Sequence, residues 1–423
     1  MTLTSWLNNP GRASGNISSA MISNRQLFLQ HIAQTSDFPI GLEVESAEGV
    51  FLYDRQGKAF YDMIAGISVS NLGHRHPRVL QAIRDQLDKH MHLMVYGEYI
   101  QTPQVRLAEA LARQLPGQLN CTYFVNSGSE ATEGALKLAK RYTGRFEIVS
   151  FRNAYHGSTQ GALSIMGDEE YRNAFRPLLP GIRQLEYNNI SHLERISDKT
   201  ACVILEPIQA EAGVVLPEEG FLQAVRERCS ETGALLIFDE IQTGFGRTGP
   251  LFAFMDYRVE PDILLLAKSL GGGLPLGAFI SSREIMSVYR KKPALGHITT
   301  FGGHPVSCAA GLAAFQELLD SELTATVGRK EQLFREKLVH PTVLEIRGKG
   351  LMLAIQLRNS AAVKRVIPDL IEAGIIMDWF IFCDTALRLA PPLIITEKQI
   401  GEVCDRMIRV MDQTLSKRAG RKK

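Results

Sequence analysis

Two apolar segments of this chain each end on one charged residue. Residues 234–249 read ALLIFDEIQTGFGRTG and residues 262–277 read DILLLAKSLGGGLPLG. The first apolar run ends on Asp239 and the second on Lys268, and glycine-rich sequence follows each of them. Short apolar runs bounded by turn residues are typical of strands buried in a parallel sheet, and ligands bind beyond the carboxyl ends of such strands. The pattern therefore predicts that the amine of Lys268 and the carboxylate of Asp239 meet in one crevice.

One chemistry requires a single lysine amine opposite a buried carboxylate. The amine forms an imine with the aldehyde of pyridoxal phosphate, and the carboxylate pairs with the ring nitrogen of that cofactor. The alternative is that Lys268 is a solvated surface amine, which is the commoner meaning of a lone lysine after a strand. The other motifs of the chain bear on this choice.

A helix that begins near Ser127 offers a place for a phosphate group. The run CTYFV at 121–125 predicts a short strand, and Ser127 with Glu130 fits a capping box at the start of the next helix. Backbone N–H groups at such a helix start, here those of Gly128 and Ser129, are free to bind an anion. The alternative is an ordinary capped turn between strand and helix. The segment has no GxGxxG motif with a downstream acid, so it does not indicate a nicotinamide site.

The histidines and cysteines do not form a metal-binding pattern. His74, His76, His90 and His92 lie on different predicted elements without an accompanying cluster of carboxylates or cysteines, so we expect no metal site. The six cysteines are scattered and include no CxxC pair, which indicates free thiols in a reducing compartment. We therefore expect a cytoplasmic protein.

Composition and charge exclude several classes of protein. A chain of 423 residues with 45% hydrophobic and 22% charged residues is long enough for two domains with sizeable cores. The net charge is +2, from 47 basic and 45 acidic side chains, so no nucleic-acid partner is indicated. The sequence has no run of about 18 apolar residues that could cross a membrane, and its Asn-, Ser- and Gly-rich start does not resemble a signal peptide.

The elements that must position these residues alternate between strand and helix from about 120 to 281. This alternation predicts an α/β fold with a mainly parallel central sheet covered by helices on both faces. After about 325 the pattern changes to that of a smaller α+β domain, which we expect both chain ends to form. The predicted divisions are a flexible leader (1–20), an N-terminal segment packing with the small domain (21–65), a large cofactor-binding domain (66–324), a C-terminal small domain (325–416) and a basic tail (417–423).

Taken together, the motifs resemble those of the class III, or ω-type, aminotransferases, which have the type I fold of pyridoxal-phosphate enzymes. The resemblance runs from about residue 40 to 410. It rests on GISVSNLGHRHP, NSGSEATEGALKLAK, FRNAYHG, LEPIQAEAGVV, LIFDEIQTGFGRTG, LLLAKSLGGGLPLGA, TTFGGHPVSCAA and LRLAPPL, which occur in this order. The resemblance implies pyridoxal 5′-phosphate as cofactor, small-molecule substrates, and a homodimer with shared active sites.

The resemblance also implies a role for individual cofactor-binding residues. Lys268 would carry the imine and, once released, move a proton between the substrate and the cofactor. Asp239 would hold the ring nitrogen protonated, Gln242 would bond the phenolic oxygen of the ring, and Tyr155 would stack on its face. Gly128 and Ser129 would hold the phosphate. The other residues of the cofactor site would be Ser127, His156, Glu206 and, from the partner subunit, Thr300.

Substrate recognition would depend on Glu211 and Arg388, which form a switchable pair in this family. Arg388 would grip a substrate carboxylate, or stay paired to Glu211 when the substrate reacts through an ω-amine. Structural explanations remain open, a salt bridge for Arg388 and a turn hydroxyl for Thr300. Ile67 would contact the substrate, at a position where ornithine-preferring members tend to carry Tyr.

One departure from the family pattern concerns the far end of the substrate. Ornithine, acetylornithine and 4-aminobutyrate enzymes usually read HGR where this chain reads His156-Gly157-Ser158. The carboxylate anchor is therefore absent, and nothing in the sequence shows that the nearby Arg152 replaces it. We expect transfer of an ω-amine or amino-acid amine to a 2-oxo acid such as 2-oxoglutarate or pyruvate by a ping-pong mechanism. The alternatives are an aminomutase or amino-acid racemase, a decarboxylase, or a scaffold that kept the fold.

Overall fold

A computed structural model describes residues 23–37 and 39–415. The predicted leader and basic tail lie outside the described residues. The strands in chain order are β1 Val44–Glu48, β2 Phe51–Asp54, β3 Ala59–Asp62, β4 Cys121–Val125, β5 Glu147–Phe151, β6 Ile182–Leu185, β7 Thr200–Leu205, β8 Leu235–Asp239, β9 Ile263–Leu266, β10 Gly277–Ser281, β11 Glu345–Lys349, β12 Met352–Gln356, β13 Ile375–Ile376, β14 Trp379–Phe380 and β15 Cys383–Leu389.

Helices of very different length connect these strands. The α-helices are α1 Asn24–His31, α2 Ala65–Ser68, α3 Pro77–Leu87, α4 Thr102–Gln114, α5 Gly128–Thr143, α6 Gln160–Ser164, α7 Glu169–Asn173, α8 Phe221–Thr232, α9 Phe254–Tyr257, α10 Arg283–Met286, α11 Pro305–Asp320, α12 Leu323–Lys337, α13 Ser360–Glu372 and α14 Glu397–Leu415. None of the helices in this described part of the chain combines the length and hydropathy that a membrane span requires.

The largest sheet has seven strands in the order β4-β10-β9-β8-β7-β5-β6. The pairs from β9 to β6 are parallel, and only β10 runs antiparallel to its two neighbours. Side chains of β8 alternate between two cores: Leu236 and Phe238 join one, and Leu235 and Ile237 join another beneath α5. Burial on both faces explains why this strand is apolar throughout, and the predicted α/β fold with a mainly parallel sheet is confirmed.

Two smaller four-stranded sheets complete the fold. One has the order β1-β2-β3-β13, in which β13 pairs parallel with β3 and so joins the two ends of the chain. The other is antiparallel, with the order β11-β12-β15-β14. The predicted residue boundaries of the domains stay a prediction.

A buried arginine connects the loop after β8 to the C-terminal sheet. Arg247 is fully buried and donates through Nη1 to the carbonyl oxygens of Leu351, at 2.9 Å, and Pro391, at 2.5 Å. Its Nη2 donates to Asn71 Oδ1. Its Nε is buried and has no partner among the described residues, so the bonds of the two Nη groups fix the end of β15 against the large sheet.

Candidate active site

The principal crevice of the site lies at the carboxyl ends of β7, β8 and β9 and encloses a volume of about 730 Å³. The structure brings most of the predicted cofactor-site residues together there. The predicted residues that line it are Ser127, Gly128, Ser129, Tyr155, His156, Glu206, Asp239, Gln242 and Lys268. Lys268 is therefore not a solvated surface amine.

Strand periodicity explains why two of the acids share one face of the sheet. Leu235 and Ile237 pack beneath α5, and Asp239 has the same parity along β8. In β7, Ile204 packs beneath α5, and Glu206 follows it at the same parity. Both carboxylates therefore face the side of the sheet on which α5 begins.

Lys268 directly follows β9 and starts a short 3₁₀ turn, Lys268–Gly271. Its φ is +49°, in a region that residues other than glycine rarely adopt, and such strain is concentrated at functional sites. The amine donates to Gln242 Oε1 at 2.6 Å. Burial lowers the pKa of Lys268 below its ordinary value of 10.5, although the carboxylates of Glu211 and Asp239 act in the opposite direction. A lowered pKa favours the neutral amine, which is the nucleophilic form.

Close packing holds this turn in place. Helix α11 carries Gly311 where an added Cβ would lie 2.3 Å from the carbonyl oxygen of Leu270. The hydroxyl of Ser269 donates to the carbonyl oxygens of Ser68, at 2.9 Å, and Val69, at 3.0 Å. The residues next to Lys268 are thus fixed from two sides.

Asp239 is held as a buried acceptor. Its Oδ2 lies 2.7 Å from His156 Nδ1, and its Oδ1 accepts from the backbone N–H of Ile241 at 3.0 Å. Burial acts to lower the pKa of His156, but the hydrogen bond and charge of Asp239 outweigh it and hold that pKa above its ordinary value. The hydrogen bond therefore joins the two buried side chains into one unit.

Two further carboxyl groups near Asp239 are buried with raised pKa values. Glu206 accepts backbone N–H groups of Tyr155 and Ala210, and burial raises its pKa to about 7 against the effect of His156. Burial also raises the pKa of Glu240 to about 7. The charge of Asp239 acts in the same direction on both groups. The region around Asp239 therefore gains negative charge as pH rises through neutrality.

An unpartnered amide donor matches a ring hydroxyl. Among the described residues, Gln242 Nε2 is buried and has no hydrogen-bond partner, while Oε1 of the same side chain accepts from Lys268. A donor beside an amine and near a buried carboxylate suits the phenolic oxygen of pyridoxal phosphate.

The start of α5 offers a cradle for a phosphate. Ser127 is the N-cap and its hydroxyl accepts from Glu130 N at 3.2 Å. The predicted capping box is only half formed, because the Glu130 carboxylate bonds the backbone N–H of Asn126 instead of that of Ser127. The first N–H groups of the helix have no partner within the helix and remain for an anion.

Two glycines keep this cradle open. A Cβ on Gly128 would lie 2.8 Å from Ile241 Cδ1. Gly157 has φ +118°, and a Cβ there would lie 2.3 Å from Ser129 Oγ. Together with the unpartnered donor of Gln242, the cradle fits the phosphate and ring of pyridoxal phosphate.

The far end of the crevice carries no arginine among the described residues that line it. Ser158 is the residue present there, and its Oγ lies 3.2 Å from the hydroxyl of Tyr155. Arg152 is 65% exposed, pairs with Glu186 at 3.0 Å and does not line the crevice. Among the described residues, the lining of the crevice therefore supplies no guanidinium in place of the missing anchor.

Glu211 and Arg388 form a bidentate ion pair close enough for their charges to affect Lys268. Arg388 Nη1 and Nη2 donate to the two carboxylate oxygens of Glu211 at 2.6 and 3.0 Å, and both side chains are almost fully buried. Burial alone would raise the pKa of Glu211, but Arg388 holds it below its ordinary value. Both carboxylate partners of Arg388 raise its pKa above the ordinary value against the effect of burial.

The second carboxylate partner, Asp378, was missed from the sequence. Its Oδ1 accepts from Arg388 Nε at 2.9 Å. The signal was present, because Asp378 follows the apolar run GIIM just as Asp239 follows ALLIF. The residues that line the crevice and were not predicted include Val69, Asn126, Thr159 and the segment 273–276.

Four predicted residues lie outside the lining of this crevice: the paired Glu211 and Arg388, and also Thr300 and Ile67. Thr300 is exposed, and its neighbour Thr299 accepts from Asn126 Nδ2 at 3.0 Å. Ile67 is 36% exposed in a left-handed turn, with φ +63°. The roles of these residues stay predictions.

The fold and this crevice define a pyridoxal-phosphate enzyme of fold type I. The sequence model of the family described as aminotransferase class-III matches residues 32–411. The chain belongs to the class III aminotransferase family; it is a transaminase and its cofactor is pyridoxal phosphate. The predicted family, fold and cofactor are confirmed.

The proteins that are similar to this chain are named for different substrates. An acetylornithine aminotransferase from Methanopyrus kandleri is 39% identical over 382 residues, 89% of this chain and 96% of that protein. The crystal structure of an ornithine aminotransferase from Toxoplasma gondii has a TM-score of 0.86 at 30% identity, covering 93% of this chain and 95% of that one. An (S)-enantioselective omega-transaminase from Thermomicrobium roseum has a TM-score of 0.85 at 29% identity, covering 93% and 99%.

Proposed function

We propose that this transaminase moves an amino group from an ω-amine or amino-acid donor to a 2-oxo acid, such as 2-oxoglutarate or pyruvate, by a ping-pong mechanism centred on Lys268. The proposal rests on the residues that lie together in one crevice. This crevice holds the half-buried Lys268, the buried Asp239–His156 pair and the open helix start at Gly128.

In this proposal each residue of the crevice has a separate role. Bound pyridoxal phosphate supplies an electron sink for the negative charge that develops when the substrate carbon loses its proton. Lys268 attaches the cofactor and, as a free amine, takes and returns that proton. Asp239, hydrogen-bonded to His156, would pair with the ring nitrogen and favour positive charge on it. Gln242 donates to the ring hydroxyl, and the start of α5 binds the phosphate.

Arg388 binds the carboxylate of the 2-oxo acid in this proposal. A guanidinium fork matches a carboxylate bidentately, and the Arg388 fork already holds Glu211 in that manner. A donor without a carboxylate at this end leaves the pair closed. One pocket thereby serves two substrates of different charge.

The identity of the donor depends on the far end of the crevice. The relatives named for acetylornithine and ornithine support a donor of that kind. The presence of Ser158 and the exposed position of Arg152 favour a donor that needs no carboxylate anchor at its far end.

We propose a homodimer whose active sites are shared, with Thr300 completing the phosphate cradle of the partner. Exposed apolar side chains support this: Ile100, Val105 and Phe301 are 94%, 50% and 54% exposed. Ile100 and Val105 line one surface cavity together with Thr299, which bonds Asn126 at the edge of the cradle. Apolar surface of this extent is typical of a protein–protein interface.

Mixing two inactive variants tests the shared site. Lys268→Ala and Thr300→Ala homodimers are mixed under conditions that exchange subunits. If the sites are shared, each mixed dimer regains one complete site and activity returns. An absence of recovery in mixed dimers, verified by mass, would refute sharing.

A donor-by-acceptor screen that reads out the product amino acid tests the proposed reaction. We expect turnover of the donor only when a 2-oxo acid is added. Isomerisation or racemisation of an amino acid without a 2-oxo acid would instead support an aminomutase or racemase. The cytoplasmic location stays a prediction. The six free thiols support it, because thiols persist in a reducing compartment.

A further inference from the structure

The guanidinium of Arg388 is held by two groups of partners that lie on different segments. Glu211 occupies the outer fork formed by Nη1 and Nη2. The segment 378–380 holds the rest of the group. Asp378 accepts from Nε at 2.9 Å, the carbonyl oxygen of Trp379 accepts from Nη2 at 3.1 Å, and the ring of Phe380 lies 4.8 Å below the guanidinium carbon.

The backbone reinforces this second group of contacts. The N–H of Arg388 donates to the carbonyl oxygen of Asp378 at 2.9 Å, and β14 pairs with β15 beside it. Arg388 also sits opposite Ala354 in the ladder between β15 and β12. The arginine and its clamp are therefore parts of one sheet.

The carboxylate of Glu211 has fewer partners than the guanidinium. Glu211 lies in an irregular segment outside helix and strand, and Gly213 and Val214, which follow shortly after it, have φ values of +85° and +58°. Apart from Arg388, the partner of its carboxylate among the described residues is the backbone N–H of Ile381, at 3.1 Å, and its carbonyl oxygen accepts from the backbone N–H of Phe382 at 3.0 Å. Separation of the pair would leave the guanidinium of Arg388 with three contacts and the carboxylate of Glu211 with one.

We propose that Asp378 is a positioning residue that fixes the guanidinium of Arg388 in the orientation that binds a substrate carboxylate. This inference rests on the proposed role of Arg388 in carboxylate binding. Because Arg388 cannot swing out of the pocket without breaking the Asp378 bond, the clamp sets specificity. The Arg388 end of the pocket takes a carboxylate or a small group and excludes a bulky apolar one.

Charge distinguishes the clamp from a simple surface ion pair. Two carboxylates surround one guanidinium, and the Asp378 side chain is 21% exposed against 3% for Arg388. Burial raises the pKa of Asp378 against the effect of Arg388. The Asp378→Asn variant keeps an oxygen at the position of Oδ1 and removes the charge, whereas Asp378→Ala removes the hydrogen bond as well.

The test compares these two variants in steady-state transamination. Asp378→Ala should raise KM for 2-oxoglutarate about tenfold, the size expected for a lost hydrogen bond to a charged group. It should also raise the kcat/KM for 1-phenylethylamine, a bulky donor without a carboxylate, because the freed arginine can move aside. Asp378→Asn should keep KM for 2-oxoglutarate near or below the wild-type value. The matched control is Asp412→Ala, which removes an exposed aspartate paired with His340 on the far helix α14.

A binding measurement separates this inference from the proposed function. The inert dicarboxylate glutarate should raise the melting temperature of the wild type and of Asp378→Asn, and raise that of Asp378→Ala less. If glutarate does not protect the wild type, the proposed role of Arg388 fails and the clamp fails with it. If glutarate protects all three proteins equally, and neither KM nor the rate with 1-phenylethylamine changes in Asp378→Ala, only the clamp is refuted. Equal rises in KM for 2-oxoglutarate in Asp378→Asn and Asp378→Ala would also refute the clamp. The lost charge, and not the lost hydrogen bond, would then be responsible for the rise.

Discussion

Glu240 should make the stability of this protein depend on pH near neutrality. Its side chain is fully buried and accepts from the hydroxyl of Thr243 and, at 2.7 Å, from the backbone N–H of Phe254. Burial, with the neighbouring charge of Asp239, raises the pKa of Glu240 from 4.5 to about 7. The folded protein therefore binds a proton at this site that the unfolded chain has released between these two pH values.

The size of the effect follows from the difference between the two pKa values. Each pKa unit corresponds to about 1.4 kcal/mol, so a pKa raised from 4.5 to about 7 corresponds to about 3 kcal/mol. The contribution to the free energy of unfolding is stabilising at low pH, because the raised pKa favours the protonated form in the folded state. The contribution is fully present below pH 4.5 and is lost as pH rises through about 7.

Glu240→Gln should remove this contribution, since an amide does not titrate. The free energy of unfolding in urea, measured between about pH 5 and 8, should fall less steeply with pH in the variant than in the wild type. The difference between the two curves should change by about 2.5 kcal/mol over this range. Glu227→Gln, an exposed carboxylate on α8, serves as the matched control and should reproduce the wild-type curve. Parallel curves for Glu240→Gln and the wild type would refute the argument that burial neutralises this acid.

Three further predictions concern the cofactor site. Lys268→Ala should abolish transamination while circular dichroism and the melting temperature show a folded protein; steady-state turnover by this variant would contradict its role. Asp239→Asn should retain the cofactor, seen by its absorbance, but lower kcat about 10²-fold or more, because an amide does not hold the ring nitrogen charged; a near-normal kcat would count against the assignment. Gly157→Ala should weaken cofactor binding in equilibrium dialysis about tenfold, since its Cβ would meet Ser129 Oγ at 2.3 Å. Gly144→Ala is its control, with φ +70° and open space around the added Cβ, and equal affinities in the two variants would contradict the cradle.

Local sequence patterns predicted the large sheet and the crevice well. Apolar runs ending on Asp239 and Lys268 marked two adjacent parallel strands, because a strand buried on both faces has little choice of residue until it ends. The glycines at 128 and 157 stand where a side chain would fill the phosphate cradle, so their identity also carried information. These sequence signals lie within a few residues of the predicted cofactor-site side chains.

Contacts between distant segments could not be predicted in the same way. The bond between His156 and Asp239 joins residues on different elements, and only the folded sheet brings their side chains within 2.7 Å. Asp378 clamps Arg388 through the short pairing of β14 with β15, which has an irregular register and no periodic pattern in the sequence. The exposed turn at Ile67 has φ +63°, a conformation that a β-branched residue gives no local reason to expect.

The proposed mechanism depends most on a covalent link between Lys268 and its cofactor. Borohydride reduction of the purified protein loaded with pyridoxal phosphate, followed by proteolysis and mass spectrometry, tests that link directly. We expect the reduced cofactor on the peptide that contains Lys268 and on no other lysine peptide. A protein that retains no reduced cofactor, or one that carries it on a different lysine, would contradict the account.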